Sequence, residues 1–97
     1  MKFEVSKLAL KDIDSIWDYT EEKWSRTQAN KYYKEIFKEI TFICKNPEIG
    51  RLVGDAKPDH RLRNFKSHII IYKIKDSIVF IDRVLHLKMD IDNILEE

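Results

Sequence analysis

Cysteine, glycine and proline are scarce in this 97-residue chain, which has one cysteine, two glycines and two prolines. The single cysteine, Cys44, excludes an internal disulfide. No glycine-rich phosphate loop is present. No run of about 20 apolar residues occurs, so no membrane span is expected. The opening MKFEVSKLALKDID lacks the apolar core of a signal peptide. The expectation is a cytosolic protein without membrane contact. His60, His68, His86 and Cys44 show no metal-ligand spacing, so neither a metal nor a cofactor is expected.

Charge is abundant. Residues of the DEKR set make up 36% of the chain beside an ordinary 43% apolar fraction, which argues for a small core under a charged surface. The length bounds the chain to a single domain, residues 1–97. The net charge of +1 says nothing about partners, but its distribution is uneven. Lys57 to Lys75 holds six Lys/Arg against Asp59 alone, a local +5, and Asp76 to Glu97 holds two basic residues against six acids, a local −4. A basic stretch of this kind suits phosphates or an acidic protein surface, and equally the solvated edge of a sheet.

The hydrophobic pattern sets the element order. KFEV at 2–5 alternates, with Phe3 and Val5 on one side, and reads as a strand. Ser6 is placed to cap a helix whose stripe is Ala9, Ile13, Ile16, Trp17, Thr20 and Trp24. SRTQ at 25–28 is a capping-box pattern that opens a second helix with almost no linker. Its apolar face is Ala29, Tyr33, Ile36, Phe37, Ile40, Ile43 and Cys44, and Asn46-Pro47 ends it, with Asn46 expected in the left-handed terminal position. Glu48 to Pro58 reads as loop. Three strands follow near 60–65, 68–75 and 77–86, split by tight turns at Lys66-Ser67 and Asp76-Ser77. MDIDNILEE at the end is compatible with a short helix.

The expected fold is therefore α+β in the order β-α-α-β-β-β, an antiparallel sheet carrying a helical hairpin on one face. Both sides of the last strand are largely apolar: Ile78, Phe80, Asp82, Val84 and His86 against Val79, Ile81, Arg83 and Leu85. One side is expected on the helices and the other under a partner.

Several short motifs occur in order. They are Ala9, Ile16 and Tyr19, then Gln28-Ala29, then Asn46-Pro47-Glu48-Ile49-Gly50 and Arg61. His68-Ile69-Ile70-Ile71-Tyr72 follows, and Arg83-Val84-Leu85-His86 with Asp90 closes the set. In these motifs the chain resembles the RelE/ParE superfamily of type II toxin–antitoxin toxins, in its ParE-like branch. Where that family often has a glycine between its helices, this chain has Ser25. The resemblance implies an inhibitor of DNA gyrase, associated with plasmid stabilisation and neutralised by a cognate antitoxin. It also implies contact with operator DNA only through the antitoxin. The rival it implies is a RelE-like, ribosome-dependent messenger-RNA endonuclease, and a third reading is a degenerate, binding-only member.

Arg61, Arg63, Arg83 and His86 are the candidate binding residues, and His86, Arg61 and Arg83 the candidates for catalysis in the nuclease reading. Arg61 and Arg63 lie two apart on a strand and share a face. Arg83, flanked by apolar residues, needs a carboxylate partner from the domain or from the antitoxin. His86 has Lys88 nearby, but Asp90 and Asp92 follow, and acids there repel an RNA backbone. The chain ends in Leu95-Glu96-Glu97 rather than a tyrosine. The composition of this stretch therefore favours protein binding over RNA cleavage.

Overall fold

The computed structural model describes residues 1–55 and 57–87. The expected C-terminal helix, together with Lys88, Asp90 and Asp92, lies outside the described residues. The elements are β1 (Lys2–Val5), α1 (Lys7–Lys23), α2 (Arg26–Lys45), β2 (Arg51–Leu52), β3 (His60–Phe65), β4 (His68–Lys75) and β5 (Ile78–His86). They form a five-stranded sheet in the order β1-β5-β4-β3-β2 with the helical hairpin packed against one face.

Both helix starts follow from their serines. Ser6 Oγ accepts from the Ala9 N–H at 3.0 Å and Ser25 Oγ from the Gln28 N–H at 3.0 Å, each satisfying a donor the helix cannot. The end of α2 differs from the expectation. Asn46 sits at φ −138°, ψ 64°, not in the left-handed region. The ring of the following Pro47 pushes its neighbour towards extended backbone. The Asn46 N–H and side-chain amide instead bond back to the Phe42 carbonyl, at 3.0 and 3.1 Å.

The sheet is mixed rather than wholly antiparallel. β1 runs parallel to β5, with Phe3 opposite Val79 and Val5 opposite Ile81. Side-chain alternation carries no information on strand direction, so the sequence pattern could not decide this. The Ser6 N–H extends the ladder by one bond, to the Ile81 carbonyl at 2.9 Å. β2, two residues within the expected loop, pairs antiparallel with β3. The β3–β4 and β4–β5 turns fall where expected. At the latter, Asp76 (φ 52°) and Ser77 (φ 62°) both take positive φ, as a type I′ hairpin turn requires.

The main core lies between helices and sheet. Ala9 and Ile13 from α1 and Ile36, Ile40, Ile43 and Cys44 from α2 meet Ile70, Tyr72, Val79, Ile81 and Val84. Leu62, Ile69, Ile71 and Leu85 form a second buried cluster on the opposite sheet face, with Val53 against it. At roughly 1.5–3 kcal/mol per fully buried aliphatic side chain, the first cluster dominates stability.

The faces of β5 do not alternate as expected. Tyr72 stands opposite Ile81 and Ile71 opposite Arg83, so Asp82 is an extra residue in a β-bulge. Before it, Val79 and Ile81 face the helices. Beyond it Val84 does so, and Leu85 joins the other cluster. The expected grouping of Val79 and Ile81 with Arg83 and Leu85 therefore breaks at Asp82. Ser6 Oγ pins the bulge by donating to the Asp82 carbonyl at 2.7 Å.

Two aromatics expected in the core are exposed. Trp24 is 76% exposed because α1 ends at Lys23 and the Trp24 backbone has left the helix (φ −127°, ψ −84°). Tyr33 is 41% exposed, its ring tilted against that of Phe37 with centroids 5.0 Å apart. Trp17 is half-buried, its indole N–H donating to Asn30 Oδ1 at 3.0 Å across the hairpin.

Candidate functional site

The four residues singled out from the sequence occupy separate parts of the sheet, and each arginine is held by the fold. Arg61, on β3, donates through Nη1 to the carbonyls of Gly50 (2.8 Å) and Glu48 (3.2 Å). It thereby ties the segment after α2 to the sheet. Beneath it, Tyr72 is fully buried. Its hydroxyl donates to the Pro47 carbonyl at 2.8 Å and accepts from the Gly50 N–H at 2.9 Å. A Cβ on residue 50 would lie 2.7 Å from that hydroxyl, so only glycine allows this approach. Burial raises the Tyr72 pKa, keeping the phenol a neutral donor.

Arg63 also lies on β3 and points to α2. Its Nε is 3.4 Å from Glu39 Oε1, and its guanidinium lies over the Phe42 ring at 5.5 Å. A cation over an aromatic face contributes about 0.5–1 kcal/mol at a partly exposed site. A third of the Arg63 side chain, 33%, stays accessible.

Arg83 is clamped to α1. Its Nε and Nη2 donate to the two oxygens of Asp12 at 2.8 and 2.9 Å, and the Val84 N–H donates to Asp12 Oδ2 at 3.0 Å. The carboxylate partner that Arg83 needs thus comes from within the domain, one residue beyond the bulge.

His86 closes β5 opposite His68 on β4, the two rings edge to face at 5.3 Å. His68 Nδ1 is 2.7 Å from the Tyr32 hydroxyl on α2. Lys66, at the β3–β4 turn, lies over the Tyr32 ring at 5.5 Å and pairs with Glu35. Burial, and then the charge of His86, lower the His68 pKa. Burial raises that of Tyr32, while the hydrogen bond from Lys66 lowers that of Glu35. This cluster joins α2, the β3–β4 turn and the end of β5.

On the open face, buried His60 lies between two acids, with Nδ1 2.9 Å from Asp59 and Nε2 3.5 Å from Asp82. The hydrogen bond from His60 lowers the Asp59 pKa. Among the described residues no group of three or more His, Cys, Asp or Glu is arranged to hold a metal ion. No described helix is long and apolar enough to cross a membrane.

Residues 3–91 match the family model for the ParE toxin of type II toxin–antitoxin systems, parDE. The chain belongs to the ParE toxin family. Its relatives include Toxin ParE1 of Mycobacterium tuberculosis, 32% identical over 92 residues that cover 94% of each chain. Toxin ParE1 of Caulobacter vibrioides is 31% identical over 88 residues, 91% of each. The fold is similar to a chain of the chromosomal ParDE toxin–antitoxin system from P. aeruginosa, with TM-score 0.79 and 17% identity over 91% of this chain and 97% of that one. It is also similar to a chain of the intact E. coli RelBE toxin–antitoxin complex, with TM-score 0.65 and 17% identity over 91% and 98%.

Within this ParE-family chain, Arg61, Arg63 and Arg83 are spent on a backbone loop, on α2 and on α1, and His86 lies apart from them beside His68. Sequence reasoning missed Asp12, Tyr32, Lys66 and Glu35. For Asp12 there was no signal, because its partner lies 71 residues away. For His68 and His86 the signal was incomplete: the turn at Asp76-Ser77 alone sets His68 opposite Leu85, and only the extra residue at Asp82 brings His86 opposite it.

Proposed function

We propose that this ParE-family toxin acts by binding, inhibiting DNA gyrase without catalysis of its own, and that a cognate antitoxin neutralises it. The observation that carries the reading is the separation of Arg61, Arg63 and Arg83 into three contacts that secure the fold. Cleavage of a phosphodiester calls for cations and a proton donor or acceptor converging within hydrogen-bond reach of one phosphate. Here Arg83 faces Asp12 and Arg61 faces two carbonyls, while His86 stands with His68. Arg63, partly exposed, and His86, at the end of β5, are the members of this set best placed to add to a protein interface.

In this reading the chain is a cytoplasmic component of a toxin–antitoxin pair with a role in plasmid stabilisation. The antitoxin covers apolar surface of the toxin and carries the operator-DNA contact of the complex. That the P. aeruginosa and E. coli neighbours come from toxin–antitoxin systems supports the antitoxin as partner.

The test sets two targets side by side. Purified toxin goes into a gyrase supercoiling assay and, separately, into a translating-ribosome cleavage assay. Lost supercoiling with intact message is the expected result. Message cleavage that disappears in His86→Ala or Arg61→Ala would replace this reading with the endonuclease.

A further inference from the structure

Half-buried His68 stands where α2, the β3–β4 turn and the end of β5 meet. Its partner across the β3–β4 ladder is Phe65, which brings no charge. The titratable groups around it are Tyr32 and Glu35 of α2, Lys66 of the turn and His86 of β5, which has a further interaction of its own. Glu35 is already paired with Lys66, and among the described residues no carboxylate pairs with His68.

The bond between Tyr32 and His68 has a direction. Burial raises the Tyr32 pKa, and a hydrogen bond from the Ser67 backbone opposes this. With the Ser67 N–H donating to it, the Tyr32 oxygen is an acceptor on that side, and its own proton is left for His68 Nδ1 at 2.7 Å. An imidazole nitrogen accepts only while it carries no proton, so the second proton of His68 has to go on this atom. That proton makes both sides of the bond donors. It leaves the Tyr32 O–H beside Lys66, which offers no acceptor, and sets a cation against the His86 ring at 5.3 Å.

The same contacts hold the turn in place. The Leu87 N–H donates to the Ser67 carbonyl at 3.0 Å, tying the chain beyond β5 to the turn. Lys66 sits in the left-handed region at φ 53°, unfavourable for a residue with a Cβ, and pairs with Glu35 on α2.

From this geometry we infer that His68 is an acid-sensitive latch. With Nδ1 unprotonated it holds the β3–β4 turn and the end of β5 on α2, and its protonation releases them while the main core stays folded. The release uncovers Tyr32 and Phe65, whose rings now meet at 5.8 Å. The inference concerns the chain itself and holds whichever target it has.

Hydrogen exchange of the full chain, read by NMR at pH 8 and pH 5 and corrected for intrinsic rates, tests this. The Leu87 amide reports the latch, and the Ile40 amide, in the interior of α2, reports global unfolding. Leu87 protection in the wild-type chain is expected to fall by about tenfold between pH 8 and pH 5. Low urea at pH 5 should leave the Leu87 exchange unchanged while it speeds that of Ile40, the mark of a local opening. His68→Gln, which cannot take the second proton, should hold the Leu87 change within about twofold. Tyr32→Phe keeps the ring and removes the hydroxyl, and should reduce the change to about threefold. Thermal melts confirm that both variants are folded.

Leu87 exchange that follows urea in step with Ile40 would make the pH effect one of global stability and overturn the latch. A tenfold change that survives in His68→Gln would put the sensor at another residue and overturn it as well. Equal Leu87 protection at pH 8 and pH 5 in the wild-type chain would do the same.

Discussion

Replacing Asp12 with alanine removes the acceptor for three donors at once: Arg83 Nε, Arg83 Nη2 and the Val84 N–H. Truncating one partner of a fully buried ion pair costs about 3–5 kcal/mol. Here the Asp12 and Arg83 side chains are 15% and 23% exposed, so water reaches part of what is cut, and Arg83 keeps a further interaction. The Val84 N–H has no such relief beside a buried strand residue, and stranding it costs about 1–3 kcal/mol. A total of about 2–3 kcal/mol follows for Asp12→Ala. For a domain of roughly 100 residues this lowers Tm by roughly 8–24 °C, at about 4–8 °C per kcal/mol. Asp12→Asn keeps an oxygen for one donor and is expected to cost about half as much. Urea unfolding of the two variants, with Arg83→Met and the double variant closing the cycle, measures the coupling directly. A midpoint for Asp12→Ala within about 0.5 kcal/mol of wild type would refute the claim that Arg83 is a fold contact rather than a surface residue awaiting a partner.

Three further outcomes are expected. Gly50→Ala drives a methyl group into the Tyr72 ring and hydroxyl, and thermal melts should show a loss of about 1–3 kcal/mol. Ser25→Ala removes the α2 cap and should cost about 1 kcal/mol by urea unfolding, with little change in the folded spectrum. The His68 pKa is lowered in the folded chain. The unfolded state therefore binds more protons as pH falls below its value of about 6.5, and the His68 contribution to stability begins to be lost there and is gone once pH has fallen through the lowered folded value. Unfolding midpoints between pH 8 and pH 5 should decline on the acid side, and His68→Gln should flatten the decline. An unchanged slope would remove His68 from the account.

What was legible in the sequence was local. Ser6 and Ser25 declare their helix starts because a cap bonds within three residues. Asp76 and Ser77 declare a hairpin because both flanking runs are β-branched. The parallel direction of β1 was hidden, because its pairing spans nearly the whole chain and alternation is blind to direction. The bulge at Asp82 was hidden as well, since nothing in IVFIDRVLH distinguishes an extra residue from a paired one. That single residue shifts Val84 onto the helix side and offsets every face assignment beyond it. The arginines were found as residues but not as contacts. Arg61 is satisfied by carbonyls of a loop whose path depends on Gly50 and Tyr72, and Arg83 by a carboxylate that only tertiary packing brings near. Trp24 and Tyr33 fit the helical period, yet helix length and the position of the hairpin leave them outside the core.

The central claim is that the toxin inhibits by occupying its target, and a titration tests it most directly. Gyrase is held at a fixed concentration in a supercoiling assay, and toxin is added from a tenth of that concentration to a large excess. Inhibition that rises with toxin and saturates only near or above one toxin per gyrase subunit pair, with the messenger RNA in a parallel translation reaction intact, is the predicted result. Supercoiling that continues at large excess, while toxin far below the ribosome concentration cleaves message, would contradict it.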